Sequence, residues 1–523
     1  MTPRERPADM LARLMRLFRL SGTEMAERSA AMGPLFALNR NFISNLRRTD
    51  SIPTLHHLYA ISELLRLRLG SVFEIFGIDL DAYLDLIDNL HQDRTRLVET
   101  CPFGSNRMVY VPAILGPEIE SRTTAPLWQL VAEWNQVSML TIRDAIWRDH
   151  RFRYGRLGVS DTNAAPDIPA GAYVQVRIFE PTEIHRLNRD TFYFIQYPLG
   201  YIACRCEFQK GWLYLHPNNP SFNGPKRLRY GSEALILGTI TAFAAELPTV
   251  GYRKCPPRRG TKRMVSALPP WEHPSLQSLF RMERLRLRVK AGETATVNAK
   301  LHEVLGISVN AQYSKKFERS EHVSQTAKAL ALTAAYAIRI SDMFRCSGIP
   351  LNNPDKYDIE QLLSVDRVTD LPAWPTQAPA PQPPELWRNV FELWHEWPLL
   401  LSRVAPAPQS SPYEIVRFHQ EEDFPGLDPL IHPGSILRID GAQRHIPTSP
   451  HDVHAHERDW ARRLYVLRVT GRQRSPLLCG YVHATQTDYR LISHPNAKKA
   501  AIHIFPRSAV EVIGTVTGIA SAF

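Results

Sequence analysis

The sequence predicts an α+β protein in which two helical units alternate with two mostly β units. Three observations predict it. Apolar residues repeat at helical spacing through the first 97 residues and then give way to short alternating runs separated by Gly, Pro and Asn. A basic stretch with Pro pairs at 251–273 and a Pro-rich stretch at 371–387 break both textures, as linkers do. The second half of the chain can also be laid on the first without gaps over two long blocks. The expected organisation is a helical unit at 1–97, a β-rich unit at 98–250, the linker at 251–273, a second helical unit at 274–352, a spacer at 353–389 and a second β-rich unit at 390–523.

In the first unit, Leu11, Leu14, Leu17 and Phe18 repeat at three to four residues, and Ser21-Gly22-Thr23-Glu24 opens a further helix through Met25, Ala26 and Ala30. Residues 38–80 read as three helical pieces. The first, Asn39 to Arg48, is polar on one side and buries Phe42, Ile43 and Leu46 on the other. Asp50, Ser51 and Pro53 stop it. Thr54 then caps a helix carrying Leu55, Leu58, Ile61 and Leu65, and the third piece ends at Gly77.

With this punctuation LSGTEMAERS and NRNFISNLRRTDSIPTLHHLYAIS resemble the first motif helix, recognition helix and following core helix of Cro/CI-type helix-turn-helix domains. Two departures stand out: Gly22 where the family often has a phosphate-contacting Gln, and a longer turn at Ala31 to Leu38, which alters the expected angle of the recognition helix. The resemblance implies double-stranded DNA as partner. Charge agrees, since residues 1–70 hold eleven Arg, no Lys and six acids, a net +5. Arg40, Asn41, Ser44 and Asn45 are expected to face the major groove, because Arg pairs with guanine and Asn with adenine in bidentate geometry. Arg47 and Arg48 are expected on phosphates, with Thr23 and Asn39 completing the set.

The runs YVQVRIFE, TFYFIQYP, YIACRCEF, WLYLHP and ALILGTITAF read as strands, preceded by an amphipathic segment at Leu127 to Trp134. Their order resembles the C-terminal domain of SOS-type and phage repressors, with Pro166, Ile168, Gly171, Asn219, Pro220 and Gly238 on the family's motif positions. That family cleaves itself with a Ser nucleophile and a neutral Lys base, since a hydroxyl unaided is too weak to attack a peptide. Here Asn163 takes the nucleophile's place and Cys204 the base's; in the second copy Gly426 and Gly480 do. Ser160 and Lys210 are the nearest substitute, but Lys210 lies in a hairpin tip. No enzymatic activity is expected.

Residues 309–351 align with 38–80, and eight of forty-three positions are identical, among them Asn310, Arg339, Phe344, Gly348, Ile349 and Leu351. Residues 491–518 align likewise with 215–242, and Pro429, Ile431 and Gly434 reproduce Pro166, Ile168 and Gly171. Such a long period reads as a tandem duplication of a two-domain regulator. Repressors of this layout pair through the β domain, so that two helix-turn-helix units reach half-sites roughly 34 Å apart. A duplicated chain can form that pair within itself, or two chains can pair. The halves have diverged: Ala311 replaces Arg40, Lys315 and Lys316 stand at Ser44 and Asn45, and Glu318 replaces Arg47.

No run approaches the ~20 apolar residues of a membrane span, and MTPRERPADM lacks the apolar centre of a signal peptide. Cys101, Cys204, Cys206, Cys255, Cys346 and Cys479 form neither a disulfide framework nor a C-x-x-C pair, and His451, His454 and His456 come without ordered carboxylates. The expectation is therefore a cytoplasmic, nucleoid-associated transcriptional regulator without metal or cofactor. A repressor is preferred, because no acidic recruiting surface is evident. The rival is an interaction protein whose DNA contacts are non-specific.

Overall fold

The computed structural model of the chain describes residues 6–49, 51–98, 108–112, 139–143, 152–219, 222, 224–247, 275–287, 301–303, 306–307, 309, 311–318, 325–349, 362, 413–417, 427, 429–432, 435–446, 463–471, 477–494 and 501–523. The amphipathic segment at Leu127 to Trp134, the linker, the Pro-rich spacer, Pro220, Gly426, Gly434 and the His451, His454 and His456 cluster lie outside the described residues. The protein is α+β, combining helices with a large antiparallel sheet.

The first helical segment runs α1 (Pro7–Leu17), α2 (Gly22–Ala31), α3 (Phe42–Thr49), α4 (Leu55–Leu64), α5 (Leu69–Ile75) and α6 (Leu80–Leu90). Pro7 opens α1, where a missing N–H costs nothing. Ser21 and Glu24 close a reciprocal capping box on α2, and the Thr54 hydroxyl accepts from His57 N at 3.3 Å on α4. After α5, Gly77 turns the chain, and its φ of +74° lets Ile78 N reach back to the Phe73 carbonyl at 3.0 Å. α3 starts later than the sequence suggests. Asn39 Oδ1 accepts from Asn41 N at 2.9 Å and the Asn39 carbonyl from Phe42 N at 2.8 Å. The side chain thus competes with helical bonding, and residues 39–41 form a turn.

The later helices are α7 (Leu276–Arg286), α8 (Ala311–Phe317), α9 (Thr326–Ala335) and α10 (Ile340–Cys346). The alignment of 309–351 with 38–80 lays α9 on α4 and α10 on α5 at both ends. Helices from both parts of the chain bury their apolar faces in one core. Phe73 and Phe344, which that alignment matches, meet with ring centroids 5.9 Å apart. α6 packs on α9, where His91 Nε2–H donates to the Ala334 carbonyl at 2.8 Å; His56 Nε2–H donates to the Ser347 carbonyl at 2.9 Å and the Thr326 hydroxyl to the Pro53 carbonyl at 2.8 Å.

The strands are β1 (Arg96–Leu97), β2 (Met108–Pro112), β3 (Met139–Arg143), β4 (Phe152–Arg156), β5 (Tyr173–Ile178), β6 (Tyr193–Tyr197), β7 (Gly200–Gln209), β8 (Trp212–His216), β9 (Arg227–Arg229), β10 (Leu235–Glu246), β11 (Tyr413–Arg417), β12 (Ile436–Asp440), β13 (Leu464–Val469), β14 (Leu477–Ala484), β15 (Asp488–Ile492), β16 (Ile502–Pro506) and β17 (Val510–Ala522). β2 and β3 form a separate pair. The remainder join in one sheet whose longest path is β16-β15-β14-β13-β17-β10-β6-β7-β8-β9, with β5 and β4 branching from β10 and β12 and β11 from β17.

β10 and β17 carry the same irregularities. β10 slips register between Ile236 and Gly238 against β6 and between Ile240 and Ala242 against β5. β17 slips between Val512 and Gly514 against β13 and between Val516 and Gly518 against β12. Each shift falls on its aligned counterpart. The glycines are needed there: a Cβ on Gly238 would lie 2.2 Å from the Arg177 carbonyl oxygen, and one on Gly514 2.4 Å from that of Asp440. Beyond these bends β10 and β17 pair antiparallel, Ala242 to Ala522 through Glu246 to Gly518.

A buried polar junction joins helices to sheet. Asp88 on α6 accepts from Arg96 and from the Tyr173 hydroxyl at 3.1 Å, while Arg156 Nη1 donates to its carbonyl at 3.4 Å. Burial alone would raise the Asp88 carboxyl, but Arg96, Arg156 and Tyr173 carry it below the usual range. On α7, buried Arg286 pairs with Glu283 and lies 5.3 Å from the centre of the Tyr201 ring on β7.

Candidate nucleic-acid interface

α2 and α3 are held together by three local devices. Buried Ser29 accepts from Leu38 N at 2.8 Å and donates to the Ala26 carbonyl at 3.0 Å, pinning the long turn back onto α2. Phe36 in that turn meets His56 and Tyr59 of α4 edge-on, at 5.1 and 5.7 Å. The extra residues are therefore anchored by packing. Gly22 allows close approach: a Cβ there would stand 2.5 Å from the Arg40 carbonyl oxygen. Gly22 thus lets the turn before α3 pass over the first turn of α2.

These contacts leave a polar surface. Thr23, Asn39, Arg40, Asn41, Ser44, Arg47 and Arg48 are exposed, and Asn45 is half-buried. Ser44, Asn45, Arg47 and Arg48 lie on α3, whereas Asn39, Arg40 and Asn41 sit in the turn that leads into it and Thr23 in the first turn of α2. Leu46 is buried beneath them. Asn45 Oδ1 accepts from Arg48 Nη2 at 2.5 Å, and Arg47 is bound to Asp9 of α1 through Nε at 3.0 Å and Nη2 at 2.9 Å. Arg47 therefore ties α3 to α1 as well as presenting charge. Glu24 at the capped end of α2 is held below the usual carboxylate range by the Ser21 backbone N–H and hydroxyl.

The second helical segment makes the same tie with charges reversed. Glu318, aligned with Arg47, accepts from Arg284 on α7 at 2.5 and 2.9 Å. This pair is nearly buried, at 11% and 9% side-chain exposure against 51% and 45% for Arg47 and Asp9. Lys315 is exposed on α8, while Phe317 packs on Phe280 with centroids 4.8 Å apart.

Around Asn163, which the sequence resemblance sets at the nucleophile's place, lies a polar network. Asn163 Nδ2 donates to Asp161 Oδ1 at 2.6 Å, and its carbonyl accepts from Asn218 N at 2.7 Å. Asn218 bridges Asp167 at 2.7 Å and Arg205 at 2.7 Å. Cys204 is fully buried, and burial, with Cys206 and Asp161 nearby, keeps its thiol protonated. Ser160 donates to the Asp93 carbonyl at 3.3 Å, and Lys210 is exposed at the β7–β8 hairpin tip with φ +49°. At Gly480, which the sequence alignment lays on Cys204, a Cβ would strike the Leu491 side chain at 2.7 Å. Sequence reasoning missed the Asp9 partner of Arg47 and the bridge from Asn218 to Asp167, because neither partner is local in the chain.

No family model, curated protein or solved structure matches the chain. Among the described residues no helix is long and apolar enough to cross a membrane.

Proposed function

We propose that the chain is a tandemly duplicated Cro/CI-type regulator with repressor-like β domains, and that it binds specific double-stranded DNA as a non-cleaving repressor. The observation that carries the reading is the exposed set Arg40, Asn41 and Ser44, with half-buried Asn45 beside them, along and just before α3 and seated on the capped start of α2. Such groups offer bidentate donors and acceptors to base edges. Duplication is supported by matching helix bounds, matching register shifts, and the meeting of Phe73 with its counterpart Phe344. The β10–β17 ladder supports an intrachain pseudo-dimer. The divergent second unit, with Glu318 at the place of Arg47, implies a non-palindromic site. Footprinting upstream of its own gene tests the reading; protection of a discrete site at moderate salt is expected.

The same Glu318–Arg284 pair favours a second reading, in which the later helical segment is a scaffold and DNA contact is non-specific. A salt titration on the footprinted site and on random DNA separates the two. Equal affinity and equal slope on both would leave only the second.

A further inference from the structure

The ribbon of β7, β8 and β9 has two unlike faces. Inward, Cys206, Leu213, Leu215 and Leu228 close a small core of their own. Outward, the register sets Trp212 beside Arg229 and Tyr214 beside Arg227, with His216 next along β8. Both guanidiniums lean on one indole, Arg227 Cζ at 5.0 Å and Arg229 Cζ at 5.6 Å from the Trp212 ring centre. Lys210 at the hairpin tip and Lys226 before β9 are exposed at the margins. The carboxylate on this face, Glu207, is occupied by Arg189, by Gln209 Nε2 at 2.9 Å and by His216 at 3.5 Å. None of the four margin and β9 cations forms an ion pair among the described residues.

Charge on an edge strand often serves only to prevent edge-to-edge pairing. The opposite end of this sheet shows that the fold does not require it, since β16 exposes Ile502 at 61% and Ile504 at 59%. The alignment that lays 491–518 on 215–242 puts His503 and Phe505 at Arg227 and Arg229. Neither arginine of this cluster is kept at those two aligned positions.

We propose that this face binds single-stranded nucleic acid. Tyr214 and His216 offer flat rings that any unpaired base can stack on, and Arg227, Arg229, Lys210 and Lys226 offer charge along a phosphate backbone. A duplex keeps its bases stacked inside, so it would use the cations but not the Tyr214 ring. The platform is separate from α3 and does not depend on the regulator reading; loss of duplex binding with retained single-strand binding would remove that reading and leave this one standing.

The test is fluorescence anisotropy of the full-length protein with labelled oligo(dT) and with a labelled duplex carrying the footprinted site. Tyr214→Ala should weaken oligo(dT) binding roughly tenfold and Tyr214→Phe should restore it, while duplex affinity stays unchanged. The pair Arg227→Glu with Arg229→Glu should abolish oligo(dT) binding, and Arg40→Ala should leave it intact. Wild-type protein that fails to bind oligo(dT) at low salt overturns the proposal. So does a Tyr214→Ala protein that binds like wild type while the charge reversals weaken both probes equally, which would mark a plain polyanion surface.

Discussion

Ala244 and Ala520 face each other in the β10–β17 ladder, and the alignment that lays 491–518 on 215–242 continues to lay Ala520 on Ala244. Each is therefore its partner's counterpart, and the local twofold relation between the strands passes through this pair. Both are fully buried. Ala244→Lys should cost about 3–5 kcal/mol, the cost of an uncompensated buried charge. Ala244→Ser, which can find a backbone partner, should cost far less. Denaturant unfolding checks both, and a Lys variant as stable as wild type would contradict the central position of the ladder.

On the proposed function, Arg40→Ala should cost ~1–3 kcal/mol on the cognate site and relax one base position, the loss expected for a bidentate base contact. Arg48→Ala should weaken cognate and random DNA alike and lower the salt slope by about one phosphate. Filter binding across a salt series measures both. Equal losses on both DNAs for Arg40→Ala would refute its base contact.

The two reversed ties between helices should differ sharply in worth. Glu318→Ala takes the carboxylate away from a nearly buried guanidinium and should destabilise by about 3–5 kcal/mol. Arg47→Ala removes a half-exposed pair and should cost less than about 1 kcal/mol of stability. Thermal melts of the two variants, compared side by side, decide the order.

Stability should fall in mild acid through His91. Its ring is buried against the Ala334 carbonyl, and burial lowers its pKa from the ordinary 6.5 to about 4. Between those values the unfolded chain binds the proton and the folded chain does not, so stability is full above pH 6.5 and declines as pH falls toward 4. His494, buried and lowered to about 4 as well, adds to the same slope. His91→Gln should flatten the acid limb of a pH–stability curve. An unchanged limb would show that other groups set it.

Incubation at alkaline pH, where a Lys base would be neutral, should leave a single intact chain on a gel. A discrete fragment pair that disappears in Ser160→Ala protein would reverse the expectation. Asn163 is committed to Asp161 and Asn218, so Asn163→Ser alone should not create cleavage while Cys204 stays buried.

Much of the fold was legible because its signals are local. Helical spacing marked α1 through α5, Ser21 and Thr54 marked two starts, and the alternating runs marked β5 to β8 and β10. The start of α3 was misplaced because Asn39 spends its side chain on a turn, a choice that apolar period does not record. Of the candidate site, the residue types are readable but not their commitments: Arg47 reads as a phosphate contact, and its bond to Asp9 depends on how α1 crosses α3. The shared helical core was equally invisible, since Phe73 and Phe344 carry the same local signature whether they meet or stand apart.

The β10–β17 ladder lies within one polypeptide. Two subunits that must find each other separate on dilution, so their active fraction depends on how many molecules a cell makes. Here the halves meet at a fixed local concentration, and scarcity does not pull them apart. Heredity is changed too: a substitution in a homodimer strikes both sides at once, whereas here each side can drift alone.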